Sequence, residues 1–129
     1  MNPPDNHPSE RITEAEHAVM EVLWDRPRQT AAEVCEVVCT GRDWSLATVK
    51  TLLSRLVQKG AVAAEPDGRR FLYSPLIERE AYVGGESRRL VERLFGGSAA
   101  SLVAHLAESE ALSEEDLDEI EALLKELRS

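Results

Sequence analysis

Disulfide frameworks, a large aromatic core and membrane spans are all missing from this chain of 129 residues. Cysteine occurs only at Cys35 and Cys39, which excludes the cross-linked scaffold of small secreted domains. Aromatics make up 5% of the chain, so Leu, Val and Ala must fill the core. No apolar run approaches the roughly 20 residues of a membrane span. The opening MNPPDNHPSE has neither a basic region nor an apolar signal segment. A cytoplasmic protein without membrane insertion is expected.

Catalytic machinery is equally scarce. His7 falls in the Pro-rich start and His17 and His105 on separate helical stretches, with no Ser/His/Asp or Cys/His arrangement and no Gly-rich phosphate loop after a strand. Cys35 and Cys39 lie four apart, on one face if helical, a spacing that does not suit a disulfide in a regular helix. Two sulfurs without a nearby His or third Cys fall short of a metal set. No enzyme, cofactor or metal is expected. Helix packing accounts for the two thiols, and redox or metal sensing stays open.

Positive charge is the next shortage, with 15 Lys and Arg against 24 Asp and Glu and a net charge of −9. It is unevenly spread. Arg42 to Tyr73 holds six basic residues against three acidic, whereas the flanking stretches are both acidic, with three basic against eight before it and six against thirteen from Leu76 onward. Phosphate binding depends on the field within a Debye length, about 8–10 Å, so this one electropositive segment matters more than the total.

Residues 1–10, with three prolines and no periodicity, read as a disordered tail. Thr13 with Glu16 forms a capping box for a first helix carrying Val19, Met20, Val22, Leu23 and Trp24, stopped by Pro27. Thr30 with Glu33 caps a short second helix with Val34, Val37 and Val38 on its apolar face. Ser45 caps a third, in which Val49, Leu52, Leu53, Leu56 and Val57 recur at helical spacing before Gly60. Opposite that stripe lie Ala47, Thr51, Ser54, Arg55 and Gln58, flanked by Thr48 and Lys50. No acid interrupts Ser45 to Gly60.

Asp67-Gly68 between short apolar segments predicts a hairpin with a type I′ turn, its basic shoulder Arg69 and Arg70 immediately after. Phe71 and Tyr73 are expected to pack it on the helices. Three helices and such a hairpin describe a winged helix-turn-helix over 11–75. The expected class is mainly α (α+β), with a helical dimerisation region at 76–129. There Ile77 to Phe95 reads as a helix interrupted by Gly84-Gly85, Ser98 caps another, and Ser113 with Asp116 opens the last. Leu90, Leu94, Phe95, Leu102, Leu106, Leu117, Ile120, Leu124 and Leu127 give these helices more apolar surface than so short a region can enclose. A two-fold homodimer is expected, with folding back onto the chain's own first domain as the alternative.

The segments ITEAEHAVMEVLW, WSLATVKTLLSRLVQKG, GRRFLYSP and LFGGSAASLVAHL resemble the BlaI/MecI/CopY-type transcriptional repressors, in order and over nearly the whole chain after residue 10. The resemblance implies a homodimeric winged-helix repressor of an inverted-repeat, palindromic operator in double-stranded DNA. Ser45 opens the helix that enters the major groove. Ala47, Thr48, Lys50, Thr51 and Arg55 face the bases and phosphates, and Arg69 and Arg70 of the wing reach the backbone. The resemblance also admits a membrane sensor-protease system as partner and a proteolytic switch at Gly97, Ser98 and Ala99.

Two departures qualify it. Copper-responsive members carry a Cys-rich C-terminal metal site, and this chain has no Cys after Cys39. Ala99 stands where an apolar or aromatic residue would mark a cut, and a helix end explains the same glycines. A thiol-responsive regulator using Cys35 and Cys39 and a winged-helix protein-interaction module without DNA binding remain as alternative functions.

Overall fold

The computed structural model describes residues 11–129; the expected tail at 1–10 lies outside them. The described residues form α1 (Glu14–Asp25), α2 (Ala31–Val38), α3 (Leu46–Gln58), strands β1 (Val62–Asp67) and β2 (Arg70–Pro75), then α4 (Arg79–Phe95), α5 (Ala99–Glu108) and α6 (Glu114–Arg128). They divide into two compact units, the first running to Gly85 and the second from Glu86 to Ser129, the division falling within α4. No described helix is long and apolar enough to cross a membrane.

Local chemistry sets the helix starts. Thr13 Oγ1 accepts the Glu16 N–H at 3.1 Å while the Glu16 carboxylate accepts the Thr13 N–H at 2.8 Å. Thr30 and Glu33 repeat the exchange on α2, and Ser113 and Asp116 on α6. Each box satisfies two amides that a helix start otherwise leaves without acceptors. Ser45 and Ser98 cap α3 and α5 through the Thr48 and Ser101 amides. At the far ends, Gly60 (φ +80°) and Gly96 (φ +58°) take the left-handed conformation that stops α3 and α4.

In the first unit α1, α2 and α3 enclose Val19, Met20, Leu23, Val34, Val38, Val49, Leu53 and Leu56, all shielded from solvent. Each such side chain contributes about 1.5–3 kcal/mol by leaving water. Val37 and Val57, placed on apolar faces by sequence spacing, are instead exposed. Val34 and Val38, one turn apart on α2, already fill its inward side, so Val37 falls off it.

The wing pairs β1 antiparallel to β2 with Asp67 opposite Arg70, so Gly68 and Arg69 are the turn residues. Only Gly68 has positive φ, +66°, which is the pattern of type II′ and corrects the expected type I′ centred on Asp67-Gly68. The hairpin is anchored by Gln29, whose N–H donates to the Tyr73 carbonyl at 3.0 Å and whose carbonyl accepts the Tyr73 N–H at 2.7 Å. Tyr73 packs against the core as expected. Phe71 does not: it is 49% exposed, opposite Pro66 near the hairpin tip.

Beyond the wing, Ile77 and Tyr82 are buried in the first unit. The Trp24 indole N–H donates to the Ile77 carbonyl at 2.9 Å, and the Trp24 and Tyr82 rings lie 5.7 Å apart. Helix α4 runs through Gly84-Gly85 without a break, where the sequence predicts an interruption. In the second unit no side chain is fully buried, and Leu90, Leu94, Leu117, Leu124 and Leu127 are exposed.

Candidate nucleic-acid interface

Helix α3 separates two faces. Val49, Leu52, Leu53 and Leu56 are buried, while Ala47, Lys50, Thr51, Ser54 and Arg55 face solvent and Thr48 is half-buried beside its cap. The Thr48 hydroxyl lies 3.2 Å from that of Ser45. The Thr51 hydroxyl donates back to the Ala47 carbonyl at 3.1 Å, leaving its methyl group and the Ala47 methyl as the apolar part of the outer face. No carboxylate of α3 stands to repel an incoming anion.

Folding brings Lys50 to the wing. A cleft of about 490 Å³ is lined by Thr30, Ala31 and Ala32 at the start of α2, Leu46 and Lys50 of α3, and Arg69, Arg70, Phe71 and Tyr73 of the hairpin. Arg70 Nε donates to Asp67 Oδ2 at 3.1 Å, so part of its charge is committed to the turn. Among the described residues Lys50, Arg55 and Arg69 have no ion-pair partner. Sequence spacing does not show the wall from α2, whose first amides have no acceptor within the helix. Nor does it show that Phe71 lines the cleft instead of the core.

Besides Asp67, Glu33 is close by. The backbone N–H of Thr30 and then its hydroxyl hold the Glu33 carboxyl below the ordinary glutamate range, with Arg26 adding to the effect. Glu33 is therefore charged at neutral pH and occupied by the α2 cap and by Arg26 at 3.6 Å. Lys59, the last basic residue of the α3 segment, is turned away from this face: its ammonium donates to Glu16 Oε1 at 2.6 Å and to the Arg11 carbonyl at 2.9 Å.

In the second unit the residues expected to join two chains lie on α4, α5 and α6. Leu90, Leu94, Leu117, Leu124 and Leu127 are exposed, and Phe95, Leu102, Leu106 and Ile120 are half-buried, with the Phe95 ring 6.0 Å from that of His105. Gly97, Ser98 and Ala99 occupy the α4–α5 junction and are exposed. The Gly97 N–H donates to the Val91 carbonyl at 3.1 Å and the Ser98 N–H to the Phe95 carbonyl at 3.0 Å, so a helix stop accounts for both glycines.

Residues 12–126 match the family model described as penicillinase repressor. The chain is 33% identical to the penicillinase repressor of Bacillus licheniformis, over 90% of this chain and 91% of that protein. It is 31% identical to the methicillin resistance regulatory protein MecI of Mammaliicoccus sciuri, over 88% of this chain and 92% of that one. Among solved structures, the DNA binding domain of the repressor BlaI is 36% identical with a TM-score of 0.51, covering 56% of this chain and 88% of that domain. A winged helix-turn-helix with these relatives over most of its length belongs to the penicillinase repressor family.

Proposed function

We propose that the chain is a homodimeric transcriptional repressor that seats α3 in the major groove of an inverted-repeat operator. The observation that carries this reading is the acid-free outer face of α3, with Lys50 joined to Arg69 and Arg70 across one cleft. Cations without internal partners gain most from displacing the counterions of a phosphate backbone. Ala47 and Thr51 offer methyl groups to thymine and let the helix seat deeply, while the wing arginines and the α2 amides position the duplex. The relatives' names as repressors and a DNA binding domain support the same reading.

Residues 11–75 hold the DNA in this account and 76–129 join the two chains, in the cytoplasm. The exposed leucines of α4 and α6 lose least in water if a second copy covers them, and a two-fold dimer matches an inverted repeat. Release would follow a cut at Gly97, Ser98 or Ala99 made by a membrane sensor-protease system. The test is footprinting and gel-shift titration at several salt concentrations on the DNA flanking the gene. Lys50→Ala and Arg55→Ala should each weaken binding and reduce the salt slope by about one. Unchanged affinity and slope in both variants would remove α3 from the groove and favour a protein-interaction module.

A further inference from the structure

Cys35 and Cys39 play no part in the interface above, yet their sulfurs lie only 2.9 Å apart. Both are free thiols, half-buried, Cys35 in the last turns of α2 and Cys39 at its C-cap. The separation is within about 0.9 Å of a disulfide bond length of about 2.05 Å, so closure needs a small displacement. Position makes that displacement feasible. Cys39 ends the helix instead of lying inside it, and Gly41, at φ +76°, frees the backbone two residues on. The Cys39 N–H still donates to the Cys35 carbonyl at 3.0 Å, so closure must strain that last helical bond, which a C-cap two residues before a glycine resists less than a helix interior does.

We infer that Cys35 and Cys39 form a reversible intramolecular dithiol/disulfide site for hydroperoxides, and that closing it weakens DNA binding. The second half rests on the repressor reading; the first does not. The Cys39 thiol is pushed above the usual thiol range, first by its hydrogen bond to Cys35, then by burial and by the Cys35 charge. Either sulfur can donate in the hydrogen bond between them, so each can support a thiolate on the other, and the proposed steps begin at Cys35. The Cys35 thiolate attacks a peroxide oxygen; the S–O bond forms, the O–O bond breaks, and the departing hydroxide leaves as water with the proton that the Cys35 thiol had released to solvent. Cys39 then attacks the Cys35 sulfenic sulfur; the S–S bond forms, the S–O bond breaks, and hydroxide leaves with the Cys39 proton as a second water. Two thiols and one hydrogen peroxide give one disulfide and two waters.

The link to α3 is short. The Arg42 N–H donates to the Cys39 carbonyl at 3.0 Å and its guanidinium to the Val38 carbonyl at 2.9 Å. The same guanidinium stacks over the Trp44 ring at 5.1 Å, and Trp44 precedes Ser45, the cap of α3. Pulling Cys39 toward Cys35 shifts this chain of contacts and with it the start of the helix proposed to enter the groove.

The test treats the full chain with hydrogen peroxide and follows free thiols, intact mass and DNA affinity together. Expected are simultaneous loss of both thiols, a mass lower by two hydrogens, a crosslink within one chain, and full reversal by dithiothreitol. Affinity for the footprinted operator should fall at least about fivefold on oxidation, and the Cys35→Ser, Cys39→Ser double variant should ignore peroxide. Overoxidation without a disulfide, or a crosslink between chains, would overturn the site. A disulfide that leaves affinity unchanged in a chain that binds when reduced would overturn the regulation. Mass and thiol count do not involve DNA, so a chain that binds no operator refutes the repressor reading alone.

Discussion

The Lys59 ammonium lies 2.6 Å from Glu16 Oε1, joining the C-cap of α3 to the first turn of α1. Glu16 is fully shielded and the Lys59 side chain 12% exposed, and the second Glu16 oxygen has no hydrogen-bond partner among the described residues. Removing one member of such a pair strands a buried charge, at a cost of about 3–5 kcal/mol. Lys59→Met should therefore destabilise the first unit strongly, and the Glu16→Gln, Lys59→Met double variant should recover part of that loss. Urea denaturation of the three proteins measures it. A double variant as weak as Lys59→Met would mean that packing, not the stranded carboxylate, sets the cost.

The same pair sets a pH dependence. Burial raises the Glu16 carboxyl, but the hydrogen bond from Lys59, the Thr13 N–H and the Lys59 charge outweigh it, so its pKa lies below the ordinary glutamate range. A carboxyl depressed on folding stabilises fully above its unfolded pKa, about 4.3, and loses that contribution as pH falls through the lower folded value. The stability gap between the chain and its Glu16→Gln variant should be flat at neutral pH and close below about pH 4. A gap that persists unchanged to lower pH would show that the Glu16 charge contributes nothing.

Gln29 anchors the wing from a buried position. It is 1% exposed, its side-chain amide donates to the Val22 carbonyl at 3.0 Å and also to that of Arg26, and its backbone exchanges two bonds with Tyr73. Gln29→Leu keeps the volume but deprives both carbonyls of this donor. Stability should drop by about 1–3 kcal/mol in chemical denaturation, and the Tyr73 amide should exchange its hydrogen faster. Equal exchange rates would show that the backbone bridge stands without the side chain.

How far the sequence reveals these features depends on how far apart the partners are. Thr13, Thr30, Ser45, Ser98 and Ser113 are legible as caps because each bonds an amide three residues ahead. The buried stripe of α3 follows from its period, and with it the exposed Ala47, Lys50, Thr51 and Arg55. Gln29, Lys59 and Phe71 were not legible in these roles. Gln29 meets Tyr73, Lys59 meets Glu16, and Phe71 lines one cleft with the start of α2, all relations between elements that no local pattern encodes. The turn is centred one residue later than Asp67-Gly68 for a related reason. Asp67 belongs to the strand, where it accepts from Arg70, so Gly68 and Arg69 close the hairpin.

Gly68 should control the placement of the wing arginines. Its φ of +66° is disfavoured for L side chains, while an added Cβ would meet nothing within 4 Å. Gly68→Ala should therefore cost about 1 kcal/mol from backbone strain alone, and Gly68→Asn less, since Asn tolerates the left-handed region. Thermal denaturation distinguishes the two. An alanine variant as stable as the parent would mean the turn relaxes to another type, and DNA affinity should then report the displaced Arg69 and Arg70.

The leucines of α6 put the proposed association of two chains to the test. Leu117, Leu124 and Leu127 are 44%, 49% and 80% exposed, with half-buried Ile120 between them at helical spacing. Burying a leucine contributes about 1.5–3 kcal/mol, and a two-fold interface buries each one twice. With about 1.4 kcal/mol per tenfold in affinity, Leu124→Glu should raise the dimer dissociation constant at least about a hundredfold. Sedimentation velocity should show a dimer for the parent chain and a monomer for Leu117→Glu and Leu124→Glu. The parent's melting temperature should rise with protein concentration and the variants' should not. A parent that sediments as a monomer at every concentration would mean that a different surface covers α6, and the two-fold operator reading would fall with it.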